Sequence, residues 1–68
     1  MSIDYEQQTD GIACHSINDE GDDFYVGFIK HNSEGYFVIN IGRRVTLTCK
    51  QMLLIGNKLS DMNKAQRE

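Results

Sequence analysis

The sequence lacks several features that would place the protein in a well-defined class. No run approaches the roughly 18 apolar residues of a membrane-spanning helix, and the first ten residues lack the basic and apolar regions of a signal peptide. Only two cysteines are present, Cys14 and Cys49. The lack of a membrane span and of a signal peptide favours a cytoplasmic protein. Disulfides are rare in that reducing compartment, so we expect both cysteines to be free thiols.

Motifs of common catalytic and metal sites are also missing. There is no nucleophile elbow, phosphate-binding loop, H-E-x-x-H or C-x-x-C. Cys14 and His15 are adjacent on a predicted strand and therefore point to opposite faces, which does not suit a zinc site. The acidic loop N-D-E-G-D-D departs from the order of a calcium loop. We expect no enzyme activity, no cofactor and no metal.

Basic side chains are absent from the first third of the chain. Residues 1–23 carry seven acidic groups and no lysine or arginine, whereas residues 24–68 carry seven basic and three acidic groups. The chain is also short, and a single domain of 68 residues buries only about 60% of the surface that its unfolded chain exposes. Both features favour a partner, either a second copy in a homodimer or another macromolecule.

The pattern of apolar residues predicts a single α+β domain over residues 1–68. We expect an antiparallel sheet of three to four strands with a central hairpin over 23–41, followed by one amphipathic helix over about 49–64. Residues 1–11 are predicted to be irregular or an edge strand, and 65–68 a frayed tail. Another strand is expected at I-A-C-H-S-I, and R-R-V-T-L-T resumes strand character before the helix.

The central hairpin is predicted to have a four-residue loop, N-S-E-G, which places His31 opposite Tyr36. With this register one face forms the core and the other presents aromatic side chains that something must cover. The predicted core face holds Phe24, Val26, Phe28, Phe37, Ile39 and Ile41, and the predicted exposed face holds Tyr25, Gly27, Ile29, His31, Tyr36, Val38 and Asn40.

The helix is predicted to begin at a capping box formed by Thr48 and Gln51. Its apolar stripe is Met52, Ile55, Leu59 and Met62, widened by Leu53 and Leu54. We interpret Gly56 as tolerated within a long helix.

Two arginines follow the hairpin at the predicted start of the next segment. Arg43 and Arg44 could bind phosphates together with Lys30, while Tyr25 and Tyr36 stack bases, since single-stranded nucleic acid is held by basic groups and aromatic platforms. An equally weighted alternative is that the arginines form ion pairs with Asp22 and Asp23.

A second hypothesis is a protein-binding function. The acidic segment and the exposed sheet face could occupy and inhibit a host protein, as small phage or mobile-element proteins do. The residues predicted for this interface are Asp19, Glu20, Asp22, Asp23, Ile29, His31 and Val38.

Residues 24–64 resemble a known family. The runs FYVGFIKHNSEGYFVINI and GRRVTLTCKQMLLIGNKLSDM are similar to the positive-cofactor-four-like transcriptional coactivators and their bacterial relatives. The resemblance implies a curved antiparallel sheet, a C-terminal helix, a homodimer joined through the helices and binding of single-stranded DNA. It also implies phosphate contacts at Lys30, Arg43 and Arg44.

Overall fold

Four segments with alternating apolar side chains form one antiparallel sheet, and a single helix follows it. The computed structural model describes residues 2–66. Its elements are β1 (Ser2–Gln7), β2 (Ile12–Ile17), β3 (Asp23–His31), β4 (Phe37–Ile41) and α1 (Cys49–Gln66). The strands lie side by side in chain order, so β1 and β4 form the edges. The predicted α+β class, central hairpin and C-terminal helix are confirmed.

The loops of the β2–β3 and β3–β4 hairpins share the pattern Asn-x-Glu-Gly. In each loop the asparagine N–H, from Asn18 or Asn32, donates to the carbonyl four residues later, at 3.0 and 2.8 Å. The asparagine Oδ1 accepts the N–H groups two and four residues later. Gly21 and Gly35 both have φ of +87°, the left-handed conformation that glycine adopts without strain. The loops are therefore three-residue turns closed by an asparagine side chain.

This loop geometry overturns the predicted register of the central hairpin. His31 lies opposite Phe37, and Ile29 lies opposite Ile39. The loop contains three residues between Asn32 and its bonded partner, so the pairing is shifted by one residue from the prediction. A shift of one residue exchanges the two faces of a strand, and Ile29, predicted to be exposed, is completely buried.

A bulge in β3 further changes which residues reach the core. Cys14 lies opposite Gly27 and His15 opposite Tyr25, so Val26 is an extra residue in β3. Val26 is buried and packs in one cluster with Cys14 and Ile55 of the helix. The predicted core residues Phe24 and Ile41 are instead largely exposed, and Phe28 lies on the face opposite the helix.

The helix begins as the sequence predicts, with the Thr48 N–H donating to Gln51 Oε1 (2.7 Å) and the Gln51 N–H donating to Thr48 Oγ1 (3.2 Å). Its buried residue is Ile55, with Leu59 packed beside it. Met52 was predicted in the core but is 53% exposed, and Leu53 and Leu54 are exposed as well. No part of α1 is long and apolar enough to cross a membrane, and it is the one helix of residues 2–66.

The strand character predicted before the helix is wrong. Residues 43–48 form no strand, because the chain turns at Gly42, whose carbonyl accepts the Val45 N–H (3.2 Å). Val45 and Leu47 still point inward and pack against the core. The segment therefore keeps alternate side chains on the core side although no strand pairs with it. The helix begins at Cys49, as predicted, and ends at Gln66, two residues beyond the predicted end, and residues 67–68 of the predicted tail lie outside the described residues.

Candidate nucleic-acid interface

The helix packs on one face of the sheet, and among residues 2–66 no other helix or strand covers the opposite face, here called the open face. Strand register places Asp4 and Glu6 of β1 on the open face, and on β3 it places aromatic side chains, Lys30 and one acidic residue, Asp23. The open face comprises Asp4, Glu6, Ala13, His15, Ile17, Asp23, Tyr25, Phe28, Lys30, Val38 and Asn40. A polyanion is therefore favoured only along the β3 and β4 side of this face.

The two arginines lie in the tight turn that follows β4, called here the arginine turn (42–45). Both side chains are exposed. Within residues 2–66, neither guanidinium lies within ion-pairing distance of a carboxylate. Asp23 instead lies 2.9 Å from His15 Nδ1, and Asp22 Oδ2 accepts from Asn18 Nδ2 (3.4 Å). The alternative in which Arg43 and Arg44 pair with these aspartates is therefore wrong.

Beside the arginine turn is a depression of about 400 Å³ where aromatic and cationic groups meet. Phe24, Tyr25 and Arg44 line it, and the first two are 56% and 51% exposed. Its polar side is fixed by Gln51, whose Nε2 donates to Ser16 Oγ (2.9 Å). A planar base can stack on an exposed ring while a guanidinium binds a phosphate, so the arrangement suits a nucleotide.

The ring of Tyr25 is supported from the side by His15. The two ring centroids are 5.7 Å apart at an interplanar angle of 79°, an edge-to-face contact. His15 Nδ1 is in turn 2.9 Å from Asp23 Oδ1. Neither His15 nor Phe24 was predicted to belong to the site. Their positions depend on the pairing of β2 with β3 and on the bulge, which residue spacing along one strand does not reveal.

Lys30 and Tyr36 lie at the other end of the central hairpin. Lys30 is opposite Val38, whereas Gly42, next to the arginines, donates its N–H to the Val26 carbonyl (2.9 Å). Four residues along a strand span about 13 Å and six span about 20 Å. Within one chain the predicted nucleic-acid residues therefore form two groups, one around Tyr25 and the arginine turn and the other around Lys30 and Tyr36.

The predicted protein-interface residues do not form one surface. Asp19, Glu20 and Asp22 are exposed in the β2–β3 loop, at the same end of the sheet as the arginine turn. The buried Ile29 reaches no surface, so its predicted role in an interface is wrong.

The last two predicted interface residues occupy opposite faces. His31 lies on the helix side, with its ring centroid 4.1 Å from that of Phe37 and its Nε2 2.8 Å from Gln66 Oε1. Val38 is half-buried on the open face beside Lys30.

Both cysteines are free thiols, but their environments differ. Cys14 is completely buried, and burial raises the pKa of its thiol. Cys49 is exposed at the first residue of α1. In residues 2–66 no three His, Cys, Asp or Glu side chains are grouped in a way that could hold a metal ion.

The fold and the site define a small α+β domain with one uncovered sheet face and an arginine turn at its end. Comparison with protein-family models, curated proteins and solved structures found no match to the chain. The resemblance to the positive-cofactor-four-like family therefore stays a prediction.

Proposed function

We propose that this protein is a non-enzymatic module that binds single-stranded nucleic acid at the arginine turn and along the β3 side of the open face. Arg43 and Arg44 bind phosphates, and Tyr25 stacks a base. Phe24, which points to the helix side of the sheet, is the second ring that lines the depression. The observation that carries the proposal is that Tyr25 and Arg44 line one depression while both guanidiniums lack a carboxylate partner among residues 2–66. We also propose that it acts in the cytoplasm as a homodimer.

The test is fluorescence anisotropy with a labelled oligothymidylate at several salt concentrations. Loss of two phosphate contacts reduces the slope of log affinity against log salt by about 1.4 for single strands, so R43A/R44A should bind more weakly and with less salt dependence. Tyr25→Ala should lose about 1–3 kcal/mol of stacking, roughly 5- to 150-fold in affinity. The matched control is K58A/K64A, which removes the same charge from the helix. Equal binding by R43A/R44A and wild type would refute the proposal.

The β2–β3 loop supports a second candidate, the binding and inhibition of a host protein. Asp19, Glu20 and Asp22 are exposed in a loop whose backbone N–H groups are bonded by Asn18 Oδ1. The loop therefore presents three acidic residues on an ordered backbone to a basic partner surface. Neutralising them as D19N/E20Q/D22N separates the two candidates. Binding to a protein partner would be lost in co-purification, whereas oligonucleotide affinity would rise because these acids lie at the same end of the sheet as the arginines.

A further inference from the structure

The edge strand β4 has none of the charges that normally protect a sheet edge. Its sequence is F-V-I-N-I, whereas the other edge strand, β1, carries Asp4 and Glu6. Exposed edge strands present unpaired N–H and C=O groups that another strand can bind, and natural proteins usually cover or charge them. Strand β4 is therefore the place where the sheet can be extended.

The hydrogen bonds between β4 and β3 determine which backbone groups of β4 point away from the sheet. The Asn32 N–H donates to the Tyr36 carbonyl and the Gly42 N–H donates to the Val26 carbonyl, so even-numbered residues of β4 face β3. The N–H and C=O groups of Phe37, Ile39 and Ile41 face outward. Those of Phe37 are occupied by the side-chain amide of Asn63, at 2.7 and 3.2 Å. Four outward groups remain, two on Ile39 and two on Ile41.

We propose that a second copy of this chain pairs with β4 in antiparallel orientation, with Asn40 opposite Asn40 on the two-fold axis. In this register Ile39 bonds to Ile41 of the second copy, and Ile41 bonds to its Ile39, so all four outward groups of each chain are satisfied. Centring the pair on Ile39 would instead place Ile41 opposite Phe37, whose backbone groups Asn63 already occupies. The Asn63 contact thus selects one register.

The side chains next to β4 fit this occupant. On the helix side an apolar groove of about 160 Å³ runs beside the strand, between Ile39, Ile41, Met52 and Gly56. Ile41 is 46% exposed, and a Cβ added at Gly56 would meet no atom within 4 Å. The two-fold axis places the same apolar residues of the second copy against this groove. An uncharged, self-complementary strip is what an isologous dimer requires.

The dimer also joins the two separated groups of nucleic-acid residues, a consequence that rests on the proposed function. In the proposed register Gly42 lies opposite Val38 of the second copy, so Tyr36 of that copy is about 8 Å from Gly42, compared with about 20 Å within one chain. Both open faces lie on the same side of an eight-stranded sheet. Each binding site then combines the arginine turn of one chain with Lys30 and Tyr36 of the other.

The pairing is tested without nucleic acid by light-scattering mass and by cysteine cross-linking. Wild type should show twice the 7.8 kDa chain mass. I41K should lower the mass to that of one chain, while Q7K, which adds the same charge to edge strand β1, should leave the dimer intact. A wild type with the mass of a single chain at every concentration would overturn the proposal.

Cross-linking tests the register. Residues directly opposite each other at a non-hydrogen-bonded pair have Cα atoms about 4.5 Å apart, within disulfide range. In a C49S background, N40C should therefore form an interchain disulfide on mild oxidation, and V38C, displaced from the axis by two residues in each chain, should not. Equal cross-linking of the two variants, or none by N40C, would contradict this register.

The composite site is tested by mixing two defective variants, R43A/R44A and K30A/Y36A. Each mixed dimer contains one site with every substitution and one intact site, so an equal mixture should recover about a quarter of the wild-type sites. If wild-type dimers bind oligonucleotide and the mixture recovers nothing, the composite site is wrong. If wild-type dimers bind no oligonucleotide, the proposed function and the composite site fail while the β4 pairing stands on its own tests.

Discussion

The side-chain amide of Asn63 pairs with the backbone of Phe37 as another strand would. Asn63 Oδ1 accepts the Phe37 N–H at 2.7 Å, and Asn63 Nδ2 donates to the Phe37 carbonyl at 3.2 Å. One residue of the helix therefore closes one end of an edge strand and ties α1 to β4. Among residues 2–66, α1 is also joined to the strands by Gln51 Nε2, which donates to Ser16 Oγ, and by the contact of His31 Nε2 with Gln66 Oε1, but only Asn63 bonds to both backbone groups of one strand residue.

We expect Asn63→Ala to lower the free energy of unfolding by about 1–2 kcal/mol, since two hydrogen bonds to a partly buried backbone are lost. The matched control is Asn57→Ala, the same substitution at an exposed position of the same helix. Urea denaturation measures both variants. Equal stability of the two variants would show that the Asn63 bonds contribute nothing.

The sequence predicted those features that depend on neighbouring residues. Strand β2 was predicted at its observed position, and the capping box at Thr48 and Gln51 was confirmed, because each is encoded within a few residues. The register of the central hairpin was predicted wrongly, because it depends on the Asn32 side chain and on the left-handed conformation of Gly35. The repetition of Asn-x-Glu-Gly in two loops was a signal that could have corrected it.

The candidate site could be predicted only in part for the same reason. Tyr25 and the two arginines were predicted together, and Tyr25 and Arg44 do line one depression at one end of the sheet. Ile29 was assigned to an exposed face because of the wrong register, and it is buried. The support that His15 gives to Tyr25 crosses between strands and depends on the bulge, which no local pattern in β2 or β3 specifies.

Two glycines are expected to respond in opposite ways to alanine. A Cβ added at Gly27 would clash with the Asn40 carbonyl oxygen, which belongs to the backbone of the neighbouring strand and cannot move cheaply. Gly27→Ala should therefore destabilise the protein by about 1–3 kcal/mol, as overpacking does. Gly56→Ala should stabilise the single chain by roughly 1 kcal/mol, since alanine favours a helix interior and the added methyl meets no atom of its own chain. Thermal unfolding midpoints that move in the same direction for both would contradict this account.

The two thiols should differ strongly in their rate of labelling. Cys49 is exposed and should react with a thiol reagent at once, whereas Cys14 has no exposed surface and should react only when the protein opens. In native conditions we expect one thiol per chain to be labelled rapidly. Cys49→Ala should abolish this rapid labelling, and Cys14→Ala should retain it. Two fast equivalents in the wild type would mean that the core around Cys14 is not closed.

Stability should fall at alkaline pH because the buried Cys14 and the half-buried Tyr5 become harder to ionise on folding. Burial raises the pKa of Cys14, and burial together with the nearby Cys14 thiolate raises the pKa of Tyr5. For a group whose pKa is raised by folding, the contribution to stability is complete below the unfolded-state pKa and is lost as pH rises through the folded-state pKa. The loss should therefore begin above about pH 8.5, the ordinary range of a thiol, and continue through that of tyrosine.

Two variants separate these groups. Tyr5→Phe keeps the ring that lies 5.1 Å from Lys58 Nζ and removes only the ionisable hydroxyl, so the decline at the higher pH should disappear. Cys14→Ala should remove the earlier decline, so its cost in stability relative to wild type should be largest near pH 7 and become smaller as the pH rises. Urea midpoints from pH 7 to 11 measure these profiles. A wild-type midpoint that stays constant over this range would show that neither group becomes harder to ionise on folding.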